Sequence, residues 1–192
     1  MNYRPICDVW ILARSKVRYY GAYPSGFVER GRALLGVTIN DAVLHVCAGR
    51  VRDYPFRGVG PNDKTLDIDS IDDPDFIHDA REPLPLRRLP DPTDTYSRHG
   101  ASPPLVPWDG IMADRPYTPE DAEHYTAGAE VLPGANALLK NCLQAVRVGG
   151  RVGFLDYILP KPPKWAKFIA CVMVVTGYNN RVRVYSVYER ME

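Results

Sequence analysis

Residues 108–121 read WDGIMADRPYTPED and carry the strongest structural signal in this chain. The apolar run from Ile111 to Ala113 predicts a short buried strand that stops on the acid Asp114. A tight turn and a helix start follow, because Thr118 suits an N-cap and Pro119 suits the first helical position. The last side chains of such a strand lie at the carboxyl edge of a sheet, where open α/β sheets bind ligands. The alternative is an ordinary strand–turn–helix junction.

The composition indicates a single globular domain. The chain has 192 residues, 45% of them hydrophobic and 24% charged, which allows a real core. We expect one domain over 1–192, with an N-terminal arm at 1–25 and a proline-rich insertion at 82–107. The net charge of +1 gives no global nucleic-acid signal, so such a partner must meet a local basic patch.

The four cysteines are scattered and form no CxxC pair, which predicts reduced thiols in a cytoplasmic protein rather than a disulfide or metal framework. The N-terminus lacks the apolar core of a signal peptide, and no apolar run reaches the roughly 18 residues that a membrane span needs. We therefore expect no membrane and no metal among the partners.

A second informative stretch is DAVLHVCAGR at 41–50. Val43 to Cys47 predicts a strand buried on both faces, as in a central parallel strand. It runs directly into Ala48 and Gly49, whose small size lets a ligand lie against the backbone. One glycine is a weak fingerprint, since a dinucleotide motif has three. His45 is interpreted as a hydrogen-bonded strand residue rather than a ligand.

Two further predicted strands end in acids. The strand at 64–69 ends at Asp67 and its neighbours, 18 residues after Gly49. An acid at this point, about 20 residues after a glycine-bearing turn, is placed to bind a ribose. The segment 74–80 predicts a third short strand that ends in Asp79.

The connections differ in length and composition. Residues 51–63 contain prolines and glycines and predict a short or irregular crossover. Residues 82–107 hold seven prolines and include Arg87 and Arg88. This long excursion is either a lid or phosphate-contacting loop, or a solvated insertion.

The remaining segments predict the outer elements of the fold. Residues 7–12 form a strand or a docking arm, and 26–35 form a helix capped by Ser25. Apolar spacing predicts a helix over 135–146 that Gly149 and Gly150 stop. The last predicted elements are a strand at 151–159, a basic loop at 161–165, a strand at 168–176 and an alternating strand at 181–188.

This order predicts an α/β, Rossmann-like, doubly wound sheet that is mostly parallel and closes with a C-terminal antiparallel hairpin. The sequence at this point resembles class I S-adenosylmethionine-dependent methyltransferases, specifically the DNA amino-methyltransferases with a DPPY-type motif. The resemblance spans roughly residues 20–190. It is carried by VLHVCAG at 43–49, LDID at 66–69, HDA at 78–80, DRPY at 114–117, RVGGRV at 147–152 and, less closely, YPSGF at 23–27.

The resemblance implies S-adenosylmethionine as cofactor and a flipped adenine or cytosine in double-stranded DNA as methyl acceptor. It assigns catalysis to Asp114, Pro116 and Tyr117, with Asp114 and the following backbone accepting hydrogen bonds from the exocyclic amine. The cofactor-binding residues it implies are Cys47, Ala48, Gly49, Asp67, Ile68, Asp79 and Ala80. The residues expected to contact DNA are Arg115, Arg87, Arg88, Lys161 and Lys164.

One residue departs from the family pattern, because Arg115 stands where the family prefers proline. We expect it to place a charge at the pocket mouth, where it either contacts a phosphate or marks a pocket no longer used on a base. Two alternatives therefore stay open. One is an inactive methyltransferase-fold binding or scaffold subunit, and the other is an enzyme for a different amine in RNA, protein or a small molecule. Sequence recognition in DNA would depend on the surface loops or a partner subunit.

Overall fold

The computed structural model describes residues 4–14, 16–17, 22–89, 102–123, 132–176 and 181–192. Within these residues the chain forms ten strands and three α-helices. In chain order they are β1 (Ile6–Ile11), α1 (Phe27–Leu35), β2 (Val43–Val46), β3 (Lys64–Asp67), β4 (Phe76–Ile77), β5 (Arg87–Arg88), β6 (Leu105–Val106), β7 (Trp108–Ala113), α2 (Pro119–Glu123), α3 (Ala135–Ala145), β8 (Val146–Asp156), β9 (Ala166–Val175) and β10 (Val182–Arg190).

Eight of these strands form one sheet in the order β1-β9-β10-β8-β7-β2-β3-β4. All neighbours in it are parallel except β10, which is inserted between β8 and β9 and runs antiparallel to both. The predicted mostly parallel sheet with an antiparallel C-terminal hairpin is confirmed. The segment at 7–12 is the edge strand β1, parallel to β9.

Helices cover both faces of the sheet, as the predicted doubly wound architecture requires. Phe27 and Leu35 of α1 pack on one face, in a cluster that includes Tyr185 of β10. Leu138 and Leu139 of α3 pack on the other face. The central strand β2 is buried at every position, which explains its continuous apolar sequence.

The predicted boundary between α3 and β8 is wrong. The helix ends at Ala145 and the strand begins at Val146, so Gly149 and Gly150 lie inside β8 rather than after a helix. Gly149 has a φ of 74°, and a Cβ at Gly150 would come within 2.7 Å of Val146 Cγ2. These glycines therefore permit a bend in the strand, beside the register shift between β7 and β8.

The other predicted caps have mixed outcomes. Thr118 Oγ1 accepts a hydrogen bond from Asp121 N at 3.1 Å, which confirms the N-cap of α2. The N-cap of α1 is Gly26 with a φ of 75°, and no side chain caps it, so Ser25 does not have this role. The first crossover is short, as predicted, and contains one 3₁₀ turn at Val51–Asp53.

The proline-rich insertion begins and ends in a small antiparallel pair of strands, β5 and β6. Residues 90–101 of the insertion lie outside the described part of the chain, so its predicted role as a lid is not tested. No helix in the described ranges is long and apolar enough to cross a membrane.

Candidate functional site

A cleft opens at the carboxyl ends of the neighbouring strands β2, β3 and β7. It encloses about 630 Å³ of empty space, counting its open mouth. Since these strands are parallel and adjacent, residues far apart in sequence meet at this edge. The walls are formed by Cys47, Leu66, Asp67, Ile68, His78, Asp79, Ala80, Arg81, Asp114, Pro116, Ala122, Leu132 and Pro133.

The bend after β2 forms the floor of the cleft. Cys47 has a φ of 54° and Gly49 a φ of 46°, both in the left-handed region. Only Cys47 of the three predicted small residues lines the cleft, and Ala48 is buried behind it. Ala48 N donates to Leu66 O at 3.1 Å, so the bend is held against β3.

Asp67 connects the bend to the next strand. Its Oδ2 accepts a hydrogen bond from Gly49 N at 2.9 Å, and its Oδ1 accepts one from Ile68 N at 2.8 Å. Burial raises the pKa of this carboxyl, and the two amide donors partly offset the rise. The glycine and the acid that the sequence paired across 18 residues are thus in direct contact.

Asp79 borders the cleft on the side of β4. Both of its carboxylate oxygens accept hydrogen bonds from Arg81, at 2.6–3.0 Å. These hydrogen bonds hold the pKa of Asp79 below its usual range. Arg81 and His78 also line the cleft, and the sequence reasoning missed both. The sequence could have indicated Arg81, because it places a cation two residues after Asp79.

Asp114 follows the last residue of β7. Its backbone N donates to Val46 O at 3.2 Å, which extends the pairing of β7 with β2 by one residue. Burial raises the pKa of its carboxyl to about 6, and the positive charge of Arg183 opposes that rise. The Asp114 carboxylate borders the cleft. Its charged form is stabilised by neighbouring protein groups such as Arg183.

Tyr117 holds one oxygen of this carboxylate. Its hydroxyl donates a hydrogen bond to Asp114 Oδ1 at 2.5 Å and accepts one from Arg183 Nη1 at 3.3 Å. The ring of Tyr117 lies 4.6 Å from that of Tyr157. Residues 114–117 thus meet the hairpin strand β10 through Arg183. The alternating pattern of 181–188 predicted that Arg183 lies on the polar face of a strand. The pattern did not predict that this side chain contacts Tyr117.

Tyr23 of the YPSGF segment is buried beside this group. Its ring stacks on Phe27, with centroids 4.9 Å apart. Burial and the nearby charge of Asp114 raise the pKa of Tyr23 well above its ordinary value. Tyr23 is not one of the cleft walls.

Arg115 lies inside the protein, which corrects the expected charge at the pocket mouth. The residue is 8% exposed, and its Nε donates to Asp156 Oδ2 at 2.7 Å. A second donor, Nη1, lies 3.2 Å from Pro116 O. Arg115 therefore connects the turn after β7 to the end of β8.

The other predicted DNA contacts lie in two places. Arg87 Nη2 is 3.3 Å from Asp109 Oδ2, at the start of β7 and therefore at the opposite edge from the cleft. Arg88 is the next residue of the same short strand. Lys161 and Lys164 are exposed, and Lys161 N donates to Asn136 Oδ1 in the first turn of α3.

A second buried charged group lies at the amino edge of the sheet. Arg32 Nη1 is 2.8 Å from Asp63 Oδ2, and His45 Nε2 is 3.1 Å from the same oxygen. His45 is thus a hydrogen-bonded strand residue, as interpreted, although its Nδ1 has no partner within the described residues. No group of three metal-ligating side chains occurs in the described part of the chain.

No protein-family model and no curated protein matches the sequence. Among solved structures, TrmN from Thermus thermophilus aligns with a TM-score of 0.52 at 15% identity, over 90% of this chain and 50% of TrmN. This chain has the Rossmann-like fold of class I methyltransferases.

A putative hemolysin from Streptococcus thermophilus aligns with a TM-score of 0.52 at 11% identity, over 93% of this chain and 69% of the hemolysin. A putative class I S-adenosylmethionine-dependent methyltransferase from Listeria monocytogenes aligns at a TM-score of 0.46 and 12% identity, over 86% of this chain and 58% of that one. The chain spans half the length of TrmN. At such identities the likeness concerns the fold, and the substrate must be argued from the cleft.

Proposed function

We propose that this chain is an S-adenosylmethionine-dependent methyltransferase that methylates the exocyclic amine of adenine or cytosine in DNA. The observation that carries the proposal is the convergence on one cleft of Cys47, Asp67, Asp79 and Asp114, which lie at or just after the ends of four different strands. The class I fold supports the reaction class, and the DRPY sequence at 114–117 supports the acceptor.

The chemistry of the cleft fits the cofactor. Apolar side chains and a few carboxylates line the cleft together, as in most small-molecule sites. Apolar side chains of Leu66, Ile68 and Leu132 suit the two faces of an adenine ring. Asp67 would accept hydrogen bonds from the ribose hydroxyls, and Asp79 would accept one from the adenine amine. When bound, S-adenosylmethionine supplies an electrophilic methyl group on a sulfonium.

The acceptor side depends on Asp114 and the backbone after it. The Asp114 carboxylate and the carbonyl of residue 115 would accept hydrogen bonds from the target amine, holding its lone pair toward the methyl group. The amine nitrogen would take the methyl group as the sulfur–carbon bond breaks. The Asp114 carboxylate would accept the proton that the nitrogen then releases.

Tyr117 would have to move for a base to bind in this way. Its hydroxyl holds Oδ1, one of the two Asp114 oxygens that are available to a target amine. Rotation of Tyr117 away from Asp114 frees this oxygen and allows the ring to stack on a flipped base. The exposed side chains of Lys161 and Lys164 would then contact phosphates, and a partner subunit would supply further recognition of the DNA sequence.

One observation favours a second candidate function. The contact between Tyr117 and Asp114 leaves the carboxylate partly occupied, as expected of a methyltransferase-fold subunit that binds the cofactor without transferring its methyl group. A different amine acceptor, in RNA, protein or a small molecule, agrees with the net charge of +1. Activity measurements separate these candidates.

The test begins with cofactor binding. Titration calorimetry with S-adenosylmethionine should show binding by the wild type and at least ~10-fold weaker binding by Asp67→Ala, because one lost charged hydrogen bond costs roughly 1.5–3 kcal/mol. Asp53→Ala is the matched control, since Asp53 is half exposed and is not part of the cleft walls. No binding by the wild type would contradict the proposal.

The second measurement is transfer of a labelled methyl group to DNA, with RNA and protein substrates in parallel. Transfer to DNA that Asp114→Ala abolishes supports the DNA enzyme. Transfer only to another substrate supports a different acceptor. Cofactor binding without transfer to any of them supports the binding subunit.

A further inference from the structure

Two of the four cysteines face one another on neighbouring strands, far from the cleft. Cys7 of β1 and Cys171 of β9 are register partners in the parallel pair. Partners in a sheet place their side chains on the same face, so the two thiols lie side by side. Both are free, Cys7 is exposed and Cys171 is half-buried.

We propose that Cys7 and Cys171 form a reversible disulfide that fastens the N-terminal strand to the sheet. Neighbouring strands lie about 4.7–4.9 Å apart, which falls within the usual Cα–Cα range of about 4.4–6.8 Å for a disulfide. The strand β1 lies at the edge of the sheet, so it can shift by the small amount that bond formation needs.

The two thiols differ in a way that orders the reaction. Cys7 is exposed, so a soluble oxidant reaches it first. Burial, and then the neighbouring thiol of Cys7, raise the pKa of Cys171, so this thiol is a poorer first nucleophile. Cys7 is therefore the attacking thiol, and Cys171 is the thiol that completes the bond.

The oxidant is a low-molecular-weight disulfide such as oxidised glutathione. The Cys7 thiolate attacks one of its sulfurs, which releases one glutathione thiolate and leaves a mixed disulfide on Cys7. The Cys171 thiol loses its proton to solvent and attacks Cys7 Sγ, which expels the second glutathione. Two protein thiols are oxidised, and one glutathione disulfide is reduced to two thiols.

The bond would stabilise a part of the sheet that is held weakly. Trp10 is the only buried residue of β1. The strand β1 has a single neighbour in the sheet, β9. Trp10 packs on Phe27 and Tyr185, with ring centroids 6.3 and 6.1 Å away. Fastening β1 to β9 would therefore also hold the aromatic cluster that lies under Tyr23.

The test compares the full chain after incubation with oxidised glutathione and after reduction. We expect an intact mass lower by two hydrogen atoms, and a peptide containing Cys7 joined to one containing Cys171. The melting temperature should rise by roughly 5–15 °C and fall back on reduction, because a disulfide that closes a long loop stabilises the folded chain relative to the unfolded one.

The variants Cys7→Ser and Cys171→Ser should each lose the redox-dependent shift in melting temperature. Cys142→Ala is the matched control, since Cys142 is buried in α3, and it should keep the shift. A glutathione adduct on Cys7 that never closes, a disulfide between two chains, or a link between Cys47 and Cys142 would overturn the proposal. These readouts require no methyl transfer, so they stand apart from the proposed enzyme activity.

Discussion

The guanidinium of Arg115 is buried against the carboxylate of Asp156, with Nε 2.7 Å from Oδ2. The other carboxylate oxygen, Oδ1, accepts hydrogen bonds from the backbone N of Tyr157 and of Ile158, at 2.6 and 3.4 Å. Burial raises the pKa of Asp156, and the charge of Arg115 opposes this. The pair therefore joins the turn after β7 to the turn after β8.

Arg115→Met should destabilise the protein strongly. The substitution leaves Asp156 1% exposed without its cation, and breaking a buried pair on one side costs roughly 3–5 kcal/mol. Urea unfolding measures the change. The double variant Arg115→Met with Asp156→Asn should recover part of the loss, because it removes the unpaired charge.

Arg50→Met is the matched control for this prediction. Arg50 pairs with Asp53, and both side chains are 51% exposed, so this substitution should have a small effect. Equal losses for Arg115→Met and Arg50→Met would show that the buried pair contributes no more than a surface one.

Asp114→Asn should stabilise the protein at neutral pH and above. The pKa of Asp114 rises from its ordinary 3.8 to about 6 in the folded state, chiefly through burial. Between these values the folded protein holds a proton that the unfolded chain has lost, so stability falls as pH rises through about 6. Asparagine does not ionise and avoids this loss.

We expect the stability of Asp114→Asn to exceed that of the wild type by about 3 kcal/mol at pH ~8, and the difference to vanish below pH ~4, since one pKa unit corresponds to about 1.36 kcal/mol. Chemical unfolding across this pH range measures the difference. A gap of the same size at every pH would contradict the prediction.

Arg183→Met should raise the pKa of Asp114 further. Burial sets the pKa of about 6, and Arg183 is the largest influence that lowers it. Removing that cation favours the protonated carboxyl, so the acid limb of methyl transfer should move to higher pH. Arg183→Lys should restore part of the wild-type profile.

Arg190→Met is the matched control for the pH profile. Arg190 belongs to the same strand but bonds to Gln144 O and Val146 O, at the other end of β10. Carbon-13 NMR titration of the Asp114 carboxyl gives the same readout without substrate. An unchanged titration in Arg183→Met would show that the cation does not act on Asp114.

The sequence predicted the site residues whose positions follow from a local pattern. It did not predict the contacts between segments that are distant in the chain. Asp67 and Asp114 stand at the ends of short predicted strands, so their place at the carboxyl edge followed from pattern and from the rule for parallel sheets. Arg115 meets Asp156 and Arg183 meets Tyr117 only because strand order and register bring distant segments together. No spacing in the chain encodes those contacts. The expected exposure of Arg115 failed for this reason.

Gly153→Ala should be among the most disruptive single-methyl additions in the sheet. A Cβ at Gly153 of β8 would overlap the phenol of Tyr185 on the adjacent β10. Tyr185 is 1% exposed and donates to Gly31 O at 3.4 Å, so it has little room to move. Overpacking of this kind costs about 1–3 kcal/mol and occasionally more.

Gly134→Ala is the matched control for that substitution. Gly134 precedes α3 with a φ of −60°, and a Cβ there meets nothing within 4 Å. Thermal unfolding should show a large drop in melting temperature for Gly153→Ala and little change for Gly134→Ala. Similar values for both would mean that Tyr185 is not packed against β8.

The variant Cys47→Gly should be more stable than the variant Cys47→Val. Cys47 adopts a φ of 54°, which glycine accepts without strain and which a β-branched side chain accepts poorly. Strain of this kind costs roughly 1–3 kcal/mol, so the glycine variant should be more stable than the valine variant by about that amount in urea unfolding.

The two variants of Cys47 should also differ in their binding at the cleft. Because Cys47 lines its floor, the larger valine should weaken S-adenosylmethionine binding while glycine preserves it. Equal stability and equal affinity for the two variants would show that neither the backbone at residue 47 nor its side chain shapes the site.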